Sequence, residues 1–228
     1  EIKSLAQTIL RSPTLVEATP ENTTVEAIKQ EVYRVAKEKK TNLLIKLIQD
    51  GQWKQVLVFT RTKHGANNLC KKLESARISA MAIHGNKSQG ARTKALAGFK
   101  NHDVRVLVAT DIAARGLDIP LLPHVVNYEL PNIPEDYVHR IGRTGRAGAN
   151  GVALSLVCAE ETSYMASIEK LTKQRFKKEI VEGFEPDPNA STVPPKQGGG
   201  RQRGGSRPSN KRQGSAGGGN RSNNNRRR

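Results

Sequence analysis

The stretch "VLVFTRTKHGANNLCKKLESARISAMAIH", residues 56–84, decides the fold. Its first four residues are continuously apolar, as suits a parallel strand covered on both faces. Ala66, Leu69, Cys70 and Leu73 then recur at helical spacing. The stretch closes on "SAMAIH" (79–84), which reads as another strand. A strand, a crossover helix and a second strand make one parallel βαβ unit.

The alternation continues in both directions. Upstream, "IKQEVYRV" (28–35) reads as a strand, and "NLLIKLIQ" (42–49) puts Leu43, Leu44, Leu47 and Ile48 on one helical face. Downstream, "QGARTKALAGFK" (89–100) predicts a helix with Ala95, Leu96 and Phe99 inward. "VRVLVA" (104–109), "HVVNY" (124–128) and "GVALSLV" (151–157) read as strands. "PEDYVHRI" (134–141) predicts a helix with Pro134 in its first turn, where proline is tolerated. "EETSYMASIEKLTKQ" (160–174) predicts a closing helix. The expected class is α/β, with a mostly parallel sheet flanked by helices. Ligand-binding residues of such sheets sit in loops beyond the carboxyl ends of the strands.

Composition bounds the function. The chain has 228 residues, 36% of them hydrophobic, and a formal net charge of +17. Ten Lys and Arg but no acid fall at Lys196 or later. That end is rich in Gly, Asn and Ser with little to bury, and is expected to be a disordered basic tail. A polyanion such as nucleic acid is the expected partner. A membrane is not, because the basic tail carries no apolar anchor. Cys70 and Cys158 sit inside apolar runs and read as buried small hydrophobes of a reduced, cytoplasmic protein. No metal-ligand spacing joins them to the five histidines. The first residues place Ile2, Leu5 and Ile9 near one helical face, and "SPTLVEATPENTT" (12–24) reads as a linker. The chain opens mid-pattern at Glu1, so it is read as a fragment of a longer protein.

Nucleotide-hydrolase machinery is missing from the motifs. The nearest approach to a G-x-x-x-x-G-K-[ST] loop is "GNKSQGAR" (85–92), where Ala91 stands in place of the lysine. No paired acids follow an apolar strand as a magnesium site would require. Four loops remain: "VFTRTK" (58–63), "HGNKSQGAR" (84–92), "ATDIAARGLDIP" (109–120) and "HRIGRTGRAG" (139–148). The last spaces three arginines and a histidine with glycines, which each weaken a helix interior. It is either a basic surface loop or a loop built to reach phosphate.

In order and separation these four loops resemble motifs IV, IVa, V and VI of the DEAD-box RNA helicases, over roughly residues 25–180. The closing "GFEPD" (183–187) and the basic Gly/Arg tail resemble the RhlE branch of that family. The resemblance implies a second, C-terminal RecA-like domain over residues 25–183. Residues 1–24 would end the first RecA-like domain and lead into the linker, and residues 184–228 would form the tail. The first domain, absent here, would hold Mg2+ and most phosphate contacts of ATP.

Residue roles follow from the same resemblance. Arg143 and Arg146 match the arginine fingers that stabilise charge on the γ-phosphoryl group during hydrolysis. Asp118, with Gly116 beside it, matches the position that meets the ATP ribose. Arg61, Thr62, Gly85, Arg92 and Thr110 match contacts to the RNA backbone. Such contacts position the strand without reading its sequence. Arg61 stands where several relatives carry asparagine. Gln89, Asp111, Arg115, His139 and Arg140 match positions that couple the cleft to the RNA side. For Asp111, an N-cap on the short "IAAR" helix is an alternative. For Arg92, the alternative is an exposed helix charge.

The implied activity is ATP-dependent local unwinding of RNA by the full-length protein, with the fragment alone inactive. Expected partners are RNA, the first RecA-like domain, and ribosomal or RNA-decay assemblies. An ATP-independent RNA-binding or chaperone module is the rival reading, favoured by the tail and opposed by the fingers. A small Rossmann-like enzyme is a second rival, opposed by the lack of a G-x-G-x-x-G after a first strand.

Overall fold

The computed structural model describes residues 28–115, 119, 122–144 and 151–194. The strands are β1 (Lys29–Arg34), β2 (Val56–Phe59), β3 (Ala80–Ile83), β4 (Val106–Ala109), β5 (His124–Asn127), β6 (Val152–Val157) and β7 (Lys178–Glu179). The helices are α1 (Lys40–Asp50), α2 (Lys63–Ser75), α3 (Gln89–Lys100), α4 (Asp111–Ala114), α5 (Pro134–Ile141) and α6 (Thr162–Thr172). Short 3-10 turns precede α1 at Lys37–Lys39 and α6 at Ala159–Glu161.

Seven strands form one sheet in the order β3-β4-β2-β5-β6-β1-β7. Every pairing is parallel. The sequence predicts a mostly parallel sheet flanked by helices, and the resemblance implies a RecA-like one; the sheet agrees with both. Alternate residues of the central strands feed opposite faces. Val56 and Val58 join Val106 and Val108 against Leu43, Leu44, Leu69 and Leu73 of α1 and α2. Leu57 and Phe59 join Leu107 and Ala109 against Ala95 and Phe99 of α3. On that second face, Tyr137 and Ile141 of α5 and Met165 and Ile168 of α6 cover Ala153 and Val157. Both faces are dry, so the strands carry apolar residues without a polar alternation.

Local chemistry sets the helix starts. The Thr62 hydroxyl accepts from Gly65 N at 3.0 Å and caps α2, and Ser88 Oγ accepts from Ala91 N at 3.3 Å and caps α3. Each such cap stabilises by about 1 kcal/mol. Pro134 stands at the start of α5. Leu96, expected inward, is only half-buried, because Ala95 and Phe99 already fill the seam of α3.

The two-residue β7 was not expected. It pairs Val32 with Lys178 and Tyr33 with Glu179. Beyond it, Phe184 packs against the core and its carbonyl accepts from Ala36 N at 3.4 Å. Residues 1–27 and 195–228, which hold the proposed linker and most of the basic tail, lie outside the described residues. Among the described residues, no helix is long and apolar enough to cross a membrane.

Candidate functional site

Three of the motif loops follow β2, β3 and β4 at the carboxyl edge of the sheet, and the fourth begins in the last turn of α5. The centre of this edge is Arg140, on α5, only 1% exposed. Its Nε and Nη2 donate to the two Asp111 oxygens at 2.5 and 2.7 Å. Its Nη1 donates to Asn127 Oδ1 at 3.1 Å and to the Glu129 carbonyl at 2.6 Å. The guanidinium also lies over the Phe59 ring, 5.0 Å from its centroid. Asn127 in turn donates to Ser155 Oγ at 3.3 Å. One buried arginine therefore joins the ends of β2, β4 and β5 to α5. Bidentate pairing of this kind fixes geometry as well as charge.

Asp111 is consequently not an N-cap. Thr110 occupies that position of α4, and the Asp111 carboxylate is committed to Arg140. Arg115 pairs with Asp136 at 2.5 Å, bridging the loop after β4 to the first turn of α5. His139 and Arg143 line one shallow depression with Phe59, Asp111, Ala114, Arg115, Asp136 and Arg140. Its two carboxylates, Asp111 and Asp136, are paired with Arg140 and Arg115. The Arg143 backbone is tied on both sides: its N donates to the Arg140 carbonyl, and its carbonyl accepts from Leu122 N. Thr144, fully buried, donates its hydroxyl to the Leu122 carbonyl. Gly116, Asp118 and Arg146 lie outside the described residues. Among the described residues, no group of three His, Cys, Asp or Glu side chains could hold a metal ion.

The second group of predicted residues lies along the loops after β2, β3 and β4. Arg61 N donates to Glu129 Oε2 at 2.7 Å. Its guanidinium lies over the Tyr164 ring, 5.5 Å from the centroid. Gly85 is exposed, and a Cβ placed on it would meet nothing within 4 Å. Packing therefore gives no reason for glycine there, while a close-approaching ligand would. Arg92 Nη1 donates to Gln89 Oε1 at 3.3 Å, and its buried Nε has no partner. Arg92 is thus half-buried, not a free-standing surface charge.

Several residues at this edge were missed by sequence reasoning. Lys40 and Glu161 form a buried ion pair, 3% and 1% exposed. Glu129, Asn127 and Ser155 complete the networks around Arg61 and Arg140. His84 is buried, with Nε2 3.2 Å from Asn67 Oδ1 and Nδ1 without a partner. Burial, then Lys87, Lys63 and His64, push its pKa down. His124 begins β5 and stacks on Trp53 at 4.3 Å, which accounts for both rings structurally.

The helicase conserved C-terminal domain family matches residues 39–148. The chain is similar to the DEAD-box protein SrmB of E. coli, solved bound to the regulator of ribonuclease activity RraA. The two are 35% identical with a TM-score of 0.66, over 74% of this chain and 98% of that one. The chain belongs to the DEAD-box RNA helicase family and carries its C-terminal domain. Curated relatives agree. The ATP-dependent RNA helicase RhlB of Pseudomonas syringae is 38% identical over 75% of this chain and 43% of that protein. The helicase CshA of Limosilactobacillus reuteri is 41% identical over 77% and 35%. The chain therefore spans less than half the length of these DEAD-box relatives. The Arg140 centre and the depression beside it join residues of the stretches 109–120 and 139–148 with Phe59, Asn127, Glu129 and Asp136.

Proposed function

We propose that this domain is the second RecA-like domain of an ATP-dependent RNA helicase, of the RhlE-like branch. It supplies arginine fingers to ATP in the cleft against the first domain and grips the RNA backbone along its carboxyl edge. The observation that carries this reading is the bidentate Arg140–Asp111 pair, which joins the loop after β4 to the end of α5 beside the depression that Arg143, Arg115 and His139 line. Phosphoryl transfer disperses negative charge over the γ-phosphoryl oxygens, so an arginine delivered from the facing domain lowers the barrier chiefly by electrostatics. Arg140 holds the motif rigid, and Arg143 acts from it. Arg146 would be the second finger, and Gly116 and Asp118 would meet the nucleotide. Mg2+ belongs to the first domain in this reading. Gln89, Asp111, Arg115, His139 and Arg140 would couple cleft closure to RNA.

Arg61, Thr62, Gly85, Arg92 and Thr110 would hold phosphate and sugar, bending one strand as the cleft closes and separating short duplexes. The enzyme would work in the cytoplasm, with ribosomal or RNA-decay assemblies as further partners. The 228-residue chain alone should hydrolyse ATP negligibly. In the full-length protein, Arg143→Ala should lower kcat for ATP by about 10³-fold, with a much smaller change in nucleotide affinity. Near-native turnover in that variant would return the loop to a structural role. The rival reading, an RNA-binding module independent of ATP, predicts that RNA affinity of the full-length protein ignores nucleotide altogether.

A further inference from the structure

Glu161 is the last residue of the 3-10 turn that follows β6. Its carboxylate gathers donors from distant parts of the chain. Oε1 accepts from Leu130 N, beyond β5, at 3.0 Å. Oε2 accepts from Cys158 N at 3.2 Å, from the Cys158 thiol at 3.4 Å, and from Lys40 Nζ. Lys40, at the start of α1, also donates to the Tyr128 carbonyl at 2.9 Å. Oε1 further stands 3.9 Å from Arg61 Nη2, in the loop after β2. One buried carboxylate thus meets the loops after β2, β5 and β6.

Stability alone does not call for ions here. Replacing a buried ion pair with apolar residues of similar volume is often neutral or favourable. What the pair supplies that an apolar cluster could not is a fixed carboxylate oxygen, Glu161 Oε1, facing Arg61. The Arg61 side chain is 18% exposed and sits between that oxygen and the Tyr164 face. At 3.9 Å the carboxylate attracts the guanidinium without consuming its donors. Among the described residues, the Arg61 side chain makes no hydrogen bond, so its planar fork is available for a phosphate.

We propose that Glu161 is a positioning residue for RNA binding, which fixes the Arg61 guanidinium to receive a phosphate of the strand, with Lys40 holding the Glu161 charge in place. This rests on the RNA-facing role of Arg61 proposed above. It adds that the grip of the loop after β2 is set from the far side of the sheet edge, by the turn after β6.

Binding of a labelled single-stranded oligoribonucleotide by the full 228-residue chain tests this, at a salt concentration that suppresses the basic tail. Glu161→Gln alone would strand the Lys40 charge and risk the fold. The paired change Lys40→Met with Glu161→Gln removes both charges together, so neither partner of the pair is left as an unpaired ion. Thermal unfolding first confirms that this pair folds. The paired variant should weaken RNA binding by about tenfold, the scale of one charge-assisted hydrogen bond. It should have no further effect when added to Arg61→Ala. The Arg61 Nε–H resonance should move when the oligoribonucleotide is added to the native chain and should move less in the paired variant, a difference that a purely structural role would not produce. Should Arg61→Ala weaken binding while the folded paired variant binds normally, the positioning role is overturned and the RNA reading stands. Equal weakening by the paired change with and without Arg61 also overturns it, since Glu161 would then act through the fold. Unchanged binding by Arg61→Ala sinks the RNA role of Arg61 itself, and the proposal with it. Failure of the paired variant to fold would also overturn it, because the pair would then be needed for the fold itself.

Discussion

Arg140 and Asp111 face each other in a two-toothed ion pair, at 2.5 and 2.7 Å, with Arg140 almost wholly withdrawn from water. The pair locks motif VI to motif V inside one domain. Arg143, three residues further on, lines the adjoining depression. Two arginines of the same short stretch therefore differ: Arg140 is buried and ties the loop to Asp111, while Arg143 is half-buried and lines the depression.

Arg140→Ala should destabilise the domain by about 3–5 kcal/mol, because it strands Asp111, Asn127 and the Glu129 carbonyl. Urea unfolding of the chain reads this directly. A loss below about 1 kcal/mol would mean that water replaces the guanidinium without penalty.

Gly85→Ala should separate packing from ligand approach. A Cβ there meets nothing within 4 Å, so stability should change by less than about 0.5 kcal/mol. RNA affinity should nonetheless fall if a strand passes close to this backbone. Unchanged stability together with unchanged affinity would remove Gly85 from the RNA path.

His84 should make stability fall on mild acidification. Its folded pKa lies below the ordinary 6.5, with burial the main cause. The unfolded chain therefore binds more protons as pH drops below about 6.5, and stability declines from there down through the folded pKa. Its surroundings, Lys63, His64 and Lys87, reinforce the effect, while Asn67 is neutral. In His84→Gln the decline between pH 7 and 5 should be shallower than in the native chain. Parallel stability–pH curves would show that His84 takes up its proton at the same pH in the folded and unfolded chains.

The two thiols should be inert while the domain is folded. Burial pushes Cys70 up to about 12 and Cys158 up to about 11. At pH 8 the thiolate fraction of Cys158 would be about one part in a thousand. Alkylation should therefore track unfolding. Rapid labelling of the native chain would contradict the burial of both side chains.

Deleting residues 196–228 should flatten the salt dependence of RNA binding. The segment holds ten basic side chains and no aromatic residue, so its contribution should be electrostatic, without base stacking. With about half of the charges engaged, the slope of log K against log salt should drop by roughly 3 to 4 units. Equal slopes for the two chains would leave the tail without an RNA role.

The sequence by itself determined the layers and the place of the loops. Runs such as Val56–Phe59 and the spacing of Ala66, Leu69, Cys70 and Leu73 are local signals, and each element formed where its period put it. The motif loops were legible for the same reason, since glycine and arginine spacing lies within a few neighbouring residues. β7 was not legible, because two residues carry no period and take their shape from β1. The inner life of the site was decided by tertiary structure. Nothing near Lys40 announces that its partner lies 121 residues away, or near Arg140 that Asp111 and Asn127 await it. A charged residue read alone defaults to the surface. Only the convergence of the strand ends supplies the opposite charges and carbonyls that let Lys40, Glu161 and Arg140 be buried at all.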